Sequence, residues 1–162
     1  MPTHHGLARA SLALVALTAG AAAQALPGEA LQAKKIGTGA GGFAGVLQPD
    51  ASFGSDADCI GDVDVDGVAD LIVGQAEFDA DELSEPLGHE CAVWILLMNA
   101  DGTLKAQQQI SRDIGGFTGA LEPADDFGGQ VCGLGDLDDD GVPDVAVGAP
   151  GVDDGGEGVG AV

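Results

Sequence analysis

Residues 62–70 read Asp62-Val63-Asp64-Val65-Asp66-Gly67-Val68-Ala69-Asp70, and residues 136–144 read Asp136-Leu137-Asp138-Asp139-Asp140-Gly141-Val142-Pro143-Asp144. Both stretches follow the pattern D-x-D-x-D-G-x-x-D, and they lie 74 residues apart. Alternate aspartates let one tight loop direct three carboxylates toward one point, and the glycine permits a sharp reversal after the third. The two stretches therefore indicate a repeated architecture and a candidate cation site in each repeat.

The 74-residue offset extends well beyond the acidic stretches. It places Ile36 on Ile110, Phe53-Gly54 on Phe127-Gly128, and Gly74 on Gly148. Self-similarity at a fixed period is typical of repeat architectures. We therefore divide the chain into a first repeat at 36–109 and a second, truncated repeat at 110–162.

Each repeat is predicted to contain about four strands. Short β-rich segments at 69–74 and 143–148 end in glycine. An apolar run at 91–98, a turn at 99–102 and a return at 103–110 predict a β-hairpin with Trp94 in the core. Four strands are the content of one propeller blade. The predicted fold is all-β, with two β-propeller-type blades, the second incomplete. Because propellers have about four to eight blades, two cannot close a ring.

The acidic loops are predicted to bind Ca²⁺, about two ions per chain. Calcium takes carboxylate and carbonyl oxygens at about 2.3–2.6 Å. An EF-hand does not fit, because here the fourth acid stands at position nine of the loop and a strand follows it. The alternative is a solvated acidic turn. The candidate ligands are the side chains of Asp62, Asp64, Asp66, Asp70, Asp136, Asp138, Asp140 and Asp144 and the backbone carbonyls of Val68 and Val142.

The first 25 residues have the form of a secretory signal peptide. Arg9 precedes a short apolar stretch that ends in small residues, so cleavage is expected after Ala23 or Ala25. The stretch is shorter than the roughly 20 residues of a membrane span, and a buried N-terminal helix is the alternative. We expect a secreted or cell-surface protein without a membrane span. Cys59, Cys91 and Cys132 allow one disulfide in that setting, and their spacing does not select a pair.

The charge argues against nucleic-acid binding, and the motifs argue against catalysis. The net charge is −22, with 27 acidic residues, so the surface repels nucleic acid and anionic lipid. Residues 37–42 spell G-x-G-x-x-G, but no clear strand precedes them and no helix is predicted after them. His89 lies in an acidic stretch and is expected to be solvated rather than a general base. We therefore predict that the chain is not an enzyme.

A Phe-Gly pair, the acidic loop and a strand ending in Gly-Ala-Pro together resemble the FG-GAP repeat of integrin alpha chains and bacterial secreted proteins. The second repeat has all three parts, whereas the first ends Gly74-Gln75-Ala76. The resemblance implies structural calcium in both loops and an extracellular adhesion or recognition module. Its partner would be an extracellular protein or glycan. The alternative is a fragment of a longer propeller protein that accompanies a hydrolase. The strand that begins at Gly160 has an open edge, which predicts self-association.

Overall fold

The computed structural model describes residues 32–47, 51–76, 91–156 and 158–162. The predicted signal peptide and His89 lie outside these ranges. Strands dominate the described part, and its one helical element is a short 3-10 helix at Pro123–Asp125. No helix there is long and apolar enough to cross a membrane. The protein is therefore all-β, as its sequence predicts.

The first sheet contains four antiparallel strands in chain order. They are β1 (Phe53–Gly61), β2 (Asp70–Gln75), β3 (Ala92–Met98) and β4 (Leu104–Ser111). The β3–β4 connection is the predicted hairpin, closed by a hydrogen bond of 2.8 Å from the Gly102 amide to the Asn99 carbonyl. A four-stranded meander of this kind is consistent with a propeller-like blade.

The second sheet pairs β5 (Val131–Gly135) with β6 (Asp144–Val147) in the register of β1 and β2. The pair Ala57–Val73 corresponds to Val131–Val147, 74 residues later. The irregularity before Gly61 recurs before Gly135. Backbone pairing therefore repeats with the period of the sequence. Neither sheet closes into a ring.

Ala161 adds a third backbone segment beside β6. Its amide and carbonyl both bond to Ala149, each at 2.9 Å. In the first sheet Gln75 pairs with Ala92 in the equivalent way. The similarity in sequence between 160–162 and 91–93 is thus matched by backbone geometry.

The core of the first sheet is built around Trp94, which is 4% exposed. Its ring lies 5.0 Å from the ring of Phe43 and 6.3 Å from that of Phe53, measured between centroids. Its indole N–H donates to the side-chain oxygen of Gln75 at 2.8 Å. A buried indole needs such an acceptor. The prediction that Trp94 is a core residue is confirmed.

A second apolar cluster joins the two sheets. Ile72 and Val93, on the opposite face of the first sheet from Trp94, pack with Phe127 of the second repeat. Burying each of these side chains stabilises the fold by about 1.5–3 kcal/mol. The backbones also approach closely, because a Cβ atom on Gly128 would collide with the Ala92 carbonyl oxygen. The glycine of the second Phe-Gly pair is therefore required by packing between repeats.

Two aspartates of β1 connect the sheets through hydrogen bonds that the sequence analysis did not anticipate. Each carboxylate accepts one N–H of its own strand and the equivalent N–H of β5. The donors are Ala57 at 2.9 Å and Val131 at 3.0 Å for Asp56, and Cys59 at 2.8 Å and Gly133 at 2.9 Å for Asp58. The Gly133 amide, followed by the Cys59 amide, lowers the pKa of Asp58.

Asp58→Asn is expected to weaken the contact between the sheets, because an amide cannot accept both N–H groups as a carboxylate does. A carboxyl whose pKa is lowered by folding adds stability that is complete above its unfolded value of about 3.9 and is lost as the pH falls through the folded value. The wild-type protein should therefore melt a few degrees above Asp58→Asn at pH 7, and the difference should shrink as the pH falls below about 3.9 and through the lowered pKa of Asp58.

Thermal unfolding followed by circular dichroism between pH 2.5 and about 7 measures this difference. Asp154→Asn, at an exposed position of the second repeat, is the matched charge control. Equal melting temperatures for the wild-type protein and Asp58→Asn at pH 7 would contradict the assigned role.

Candidate metal centres

Each acidic loop brings three carboxylates together. One oxygen from each of Asp62, Asp64 and Asp70 lies within 4.8 Å of the others. Two oxygens bound to one calcium ion are at most about 5.2 Å apart, since each lies about 2.3–2.6 Å from the ion. The second loop groups Asp136, Asp138 and Asp144 by the same criterion. Both groups have the dimensions of a single-cation site.

Strand pairing positions these side chains. Gly61, the last residue of β1, pairs with Asp70, the first residue of β2, and Gly135 pairs with Asp144 in the same way. The intervening loop must reverse direction, and Gly67 does so with a φ of 87°. Any cation held here would therefore lie at the connection between two neighbouring strands.

The two loops share one set of internal hydrogen bonds. In each loop the first aspartate accepts two amides, the third aspartate accepts the amide two residues on, and the fourth accepts the amide after the first. In the first loop these bonds run from Asp66 (2.9 Å) and Gly67 (2.7 Å) to Asp62, from Val68 (2.9 Å) to Asp66, and from Val63 (2.8 Å) to Asp70. In the second they run from Asp140 (3.0 Å) and Gly141 (2.9 Å) to Asp136, from Val142 (2.7 Å) to Asp140, and from Leu137 (2.7 Å) to Asp144.

The backbone of the two loops is also the same at its most constrained point. Val65 has a φ of 58°, and the equivalent Asp139 has a φ of 59°. Aspartate tolerates this left-handed conformation, whereas it is a genuine outlier for a β-branched residue. Val65 is 84% exposed, so no core packing of its side chain offsets that strain. The hydrogen bonds to Asp62 and Asp70 hold the first loop in this conformation.

Asp64 carries an oxygen that hydrogen bonding within the described residues does not explain. Its Oδ1 atom is shielded from solvent and accepts no hydrogen bond there. A buried acceptor without a partner is costly, and an ion is one of the standard explanations for it. The donor chemistry fits, because hard divalent cations bind carboxylate oxygens.

Asp70 makes the first loop the more enclosed of the two. Its side chain has no solvent exposure, and its Oδ1 accepts the Met98 amide of β3 at 2.8 Å. Its hydrogen-bond partners among the described residues are two neutral amides, the second from Val63. Neutral amides do not cancel its negative charge, and a buried carboxylate is stable only when its charge is compensated. Asp144 is half-buried, and Asp136 and Asp138 are exposed.

The structure separates the third aspartate of each loop from the other three. Neither Asp66 nor Asp140 belongs to a carboxylate group, and one oxygen of each accepts the amide of the valine two residues on. The ligand roles predicted for Asp66, Asp140 and the carbonyls of Val68 and Val142 stay predictions. Within each loop the geometry brings together the first, second and fourth aspartates.

Lys105 is the residue at this site that the sequence analysis did not find. Its ammonium lies 2.7 Å from Asp64 Oδ2 and 2.7 Å from Asp66 Oδ2. Asp64, followed by Asp66, raises the pKa of Lys105, and Lys105 in turn lowers the pKa of Asp66. Lys105 follows Asp66 by 39 residues, so no local spacing signals the contact. The β3–β4 hairpin creates it.

Two other sequence features have no ligand-binding geometry. The glycine-rich segment at 37–42 forms a tight turn in which Gly37 and Ala40 exchange backbone hydrogen bonds of 3.3 and 2.9 Å. It does not open a helix, which a phosphate-binding turn requires. Cys59 and Cys132 are exposed free thiols, and Cys91 is buried.

No protein-family model matches this chain. The two acidic loops can be compared with each other. They share strand register, the carboxylate group, the internal hydrogen bonds and the left-handed residue. Two equivalent copies of one arrangement of carboxylates support a common role.

Replacing Asp70 with alanine is expected to destabilise the fold more than replacing Asp144. Asp70→Ala leaves the amides of Val63 and Met98 without their acceptor, at a cost of about 1–3 kcal/mol for each buried group. Asp144→Ala removes the acceptor of the Leu137 amide, which lies in an exposed loop. Urea unfolding with excess chelator measures the difference without any contribution from metal. Equal destabilisation by the two variants would contradict the structural role of Asp70.

Proposed function

We propose that this chain is a secreted calcium-binding protein of FG-GAP type, whose two acidic loops each bind one Ca²⁺. The observation that carries the proposal is the pair of equivalent carboxylate groups, each with oxygens within 4.8 Å. The buried Asp64 oxygen without a hydrogen-bond partner supports it.

Calcium fits these groups better than the common alternatives. The grouped side chains are all aspartates, without cysteine or histidine, which disfavours zinc. Magnesium requires near-ideal octahedral geometry at about 2.0–2.1 Å and keeps several waters, whereas calcium accepts six to eight oxygens in flexible arrangements. Three carboxylates on one loop, with water completing the shell, suit the larger ion.

The proposed role of the ion is structural. Each site lies where one strand ends and its antiparallel neighbour begins, so bound calcium would tie the two strands together. It would also relieve repulsion among three like charges, which is about 1–4 kcal/mol for a pair at 4 Å. Because the site requires the folded loop, the binding free energy adds to the stability of the fold.

The module is proposed to bind or display rather than to catalyse. The grouped carboxylates match one cation in spacing, and backbone amides orient those of Asp62 and Asp70. The acidic surface disfavours nucleic acid. We propose an extracellular protein or glycan as the partner, on the resemblance to FG-GAP adhesion modules.

Calcium titration should reveal two sites per chain. Isothermal calorimetry on the chelator-treated protein is expected to give a stoichiometry near two, with dissociation constants of about 10⁻⁴–10⁻³ M. Asp64→Ala and Asp138→Ala should each abolish one site and leave the other intact. Asp154→Ala, outside both loops, should retain both. The absence of heat and of any rise in melting temperature at several millimolar calcium would contradict the proposal.

The proposed lack of catalysis has a separate test. A screen of esters, phosphoesters and glycosides should show no turnover above that of a mock purification. Turnover that co-purifies with the protein and is abolished by His89→Ala or by one aspartate substitution would contradict this part of the proposal.

A further inference from the structure

The ammonium of Lys105 occupies part of the first loop, where it contacts the carboxylate that also points toward the proposed ion. Asp64 uses its Oδ2 for Lys105, at 2.7 Å, while its Oδ1 is buried without a hydrogen-bond partner. Asp66 holds the other side of the ammonium at 2.7 Å. The first loop thus already contains one cation, supplied by strand β4.

The second loop has no such cation in the described part of the chain, where both ion pairs belong to Lys105. Its aspartates at the equivalent positions, Asp138 and Asp140, are exposed. The amide donors to Asp140 and Asp136 match those of the first loop. Lys105 is therefore a charged partner that distinguishes the first loop from the second. The loops also differ in neutral donors, because Asp70 accepts the Met98 amide and Asp138 accepts the Asp140 amide.

We infer that Lys105 competes with Ca²⁺ for the first loop and sets the calcium concentration at which that loop fills. This inference rests on the proposed calcium sites. An ion beside Asp62, Asp64 and Asp70 would share Asp64 with the ammonium, so two positive charges would lie on opposite oxygens of one carboxylate. Calcium must either displace the ammonium or bind against its repulsion. Both effects weaken binding at the first loop only.

The position of Lys105 makes the competition reversible. Its side chain is 42% exposed, so the ammonium can move into water when calcium arrives. The stem of the side chain is fixed to β4, which pairs with β3 along its length. The ammonium therefore remains close to the loop and can return when calcium leaves.

The test measures each loop separately in the same full chain. Gly67 and Gly141 each donate an amide to the first aspartate of their loop, and their NMR resonances report calcium binding site by site. Lys105→Met should lower the calcium concentration for half-saturation at Gly67 by about two- to tenfold, the range expected for loss of exposed ion pairs. Half-saturation at Gly141 should not change. Lys105→Gln, a second uncharged variant, should behave alike.

Arg112→Met is the matched control for net charge. Arg112 follows the opposite end of β4, roughly 20 Å from Lys105 at about 3.3 Å per residue. This variant should shift neither glycine. An unchanged or weakened response of Gly67 in Lys105→Met overturns the inference and leaves the proposed function intact. Equal shifts from both variants at both glycines also overturn it, because the effect would be one of general charge. A wild-type chain in which neither glycine responds to calcium overturns both proposals.

Discussion

The carboxylate of Asp70 is fully shielded from solvent. It lies where β1 ends, β2 begins and β3 ends. Through its two oxygens it binds the Val63 amide of the acidic loop and the Met98 amide of β3. If the loop moved away from β3, the Asp70 carboxylate would lose its burial or the two amides would lose their acceptor, and either change costs stability. One side chain thereby couples the pairing of β1 and β2 to the position of β3, and it also faces Asp62 and Asp64.

Negative charge is concentrated where backbone amides can compensate part of it. The aspartates of both loops accept amides from the same loop, and Asp56 and Asp58 accept amides from the neighbouring sheet. In a chain with 27 acidic and five basic residues, backbone amides stabilise carboxylates that lysine and arginine would pair with in other proteins. Amides orient carboxylates but leave their net charge in place, so the grouped carboxylates of each loop keep the negative charge that favours a cation.

Contacts between the repeats depend on small residues and on periodicity. Gly128 lies against the Ala92 carbonyl, and Asp58 binds the Gly133 amide, 75 residues ahead. Because both repeats share one strand register, each carboxylate of β1 meets equivalent amides in its own strand and in β5. The hydrogen bonds of Asp56 and Asp58 align the two sheets, and the apolar cluster around Ile72 and Phe127 buries side chains between them.

The sequence by itself determined the repeat, the all-β class, the β3–β4 hairpin, the core position of Trp94 and the two acidic loops. Each of these depends on spacing within a short segment or on one constant offset, and both are visible in a linear chain. The sequence did not predict strand β1, because its glycines and aspartates are poor strand formers. Pairing with β2 overrides that preference in the folded protein. Tertiary structure alone decided that Lys105 enters the first loop and that Asp56 and Asp58 bridge the sheets. Those contacts join residues 39 to 75 positions apart, and strand order and sheet packing set such distances, which no local pattern encodes.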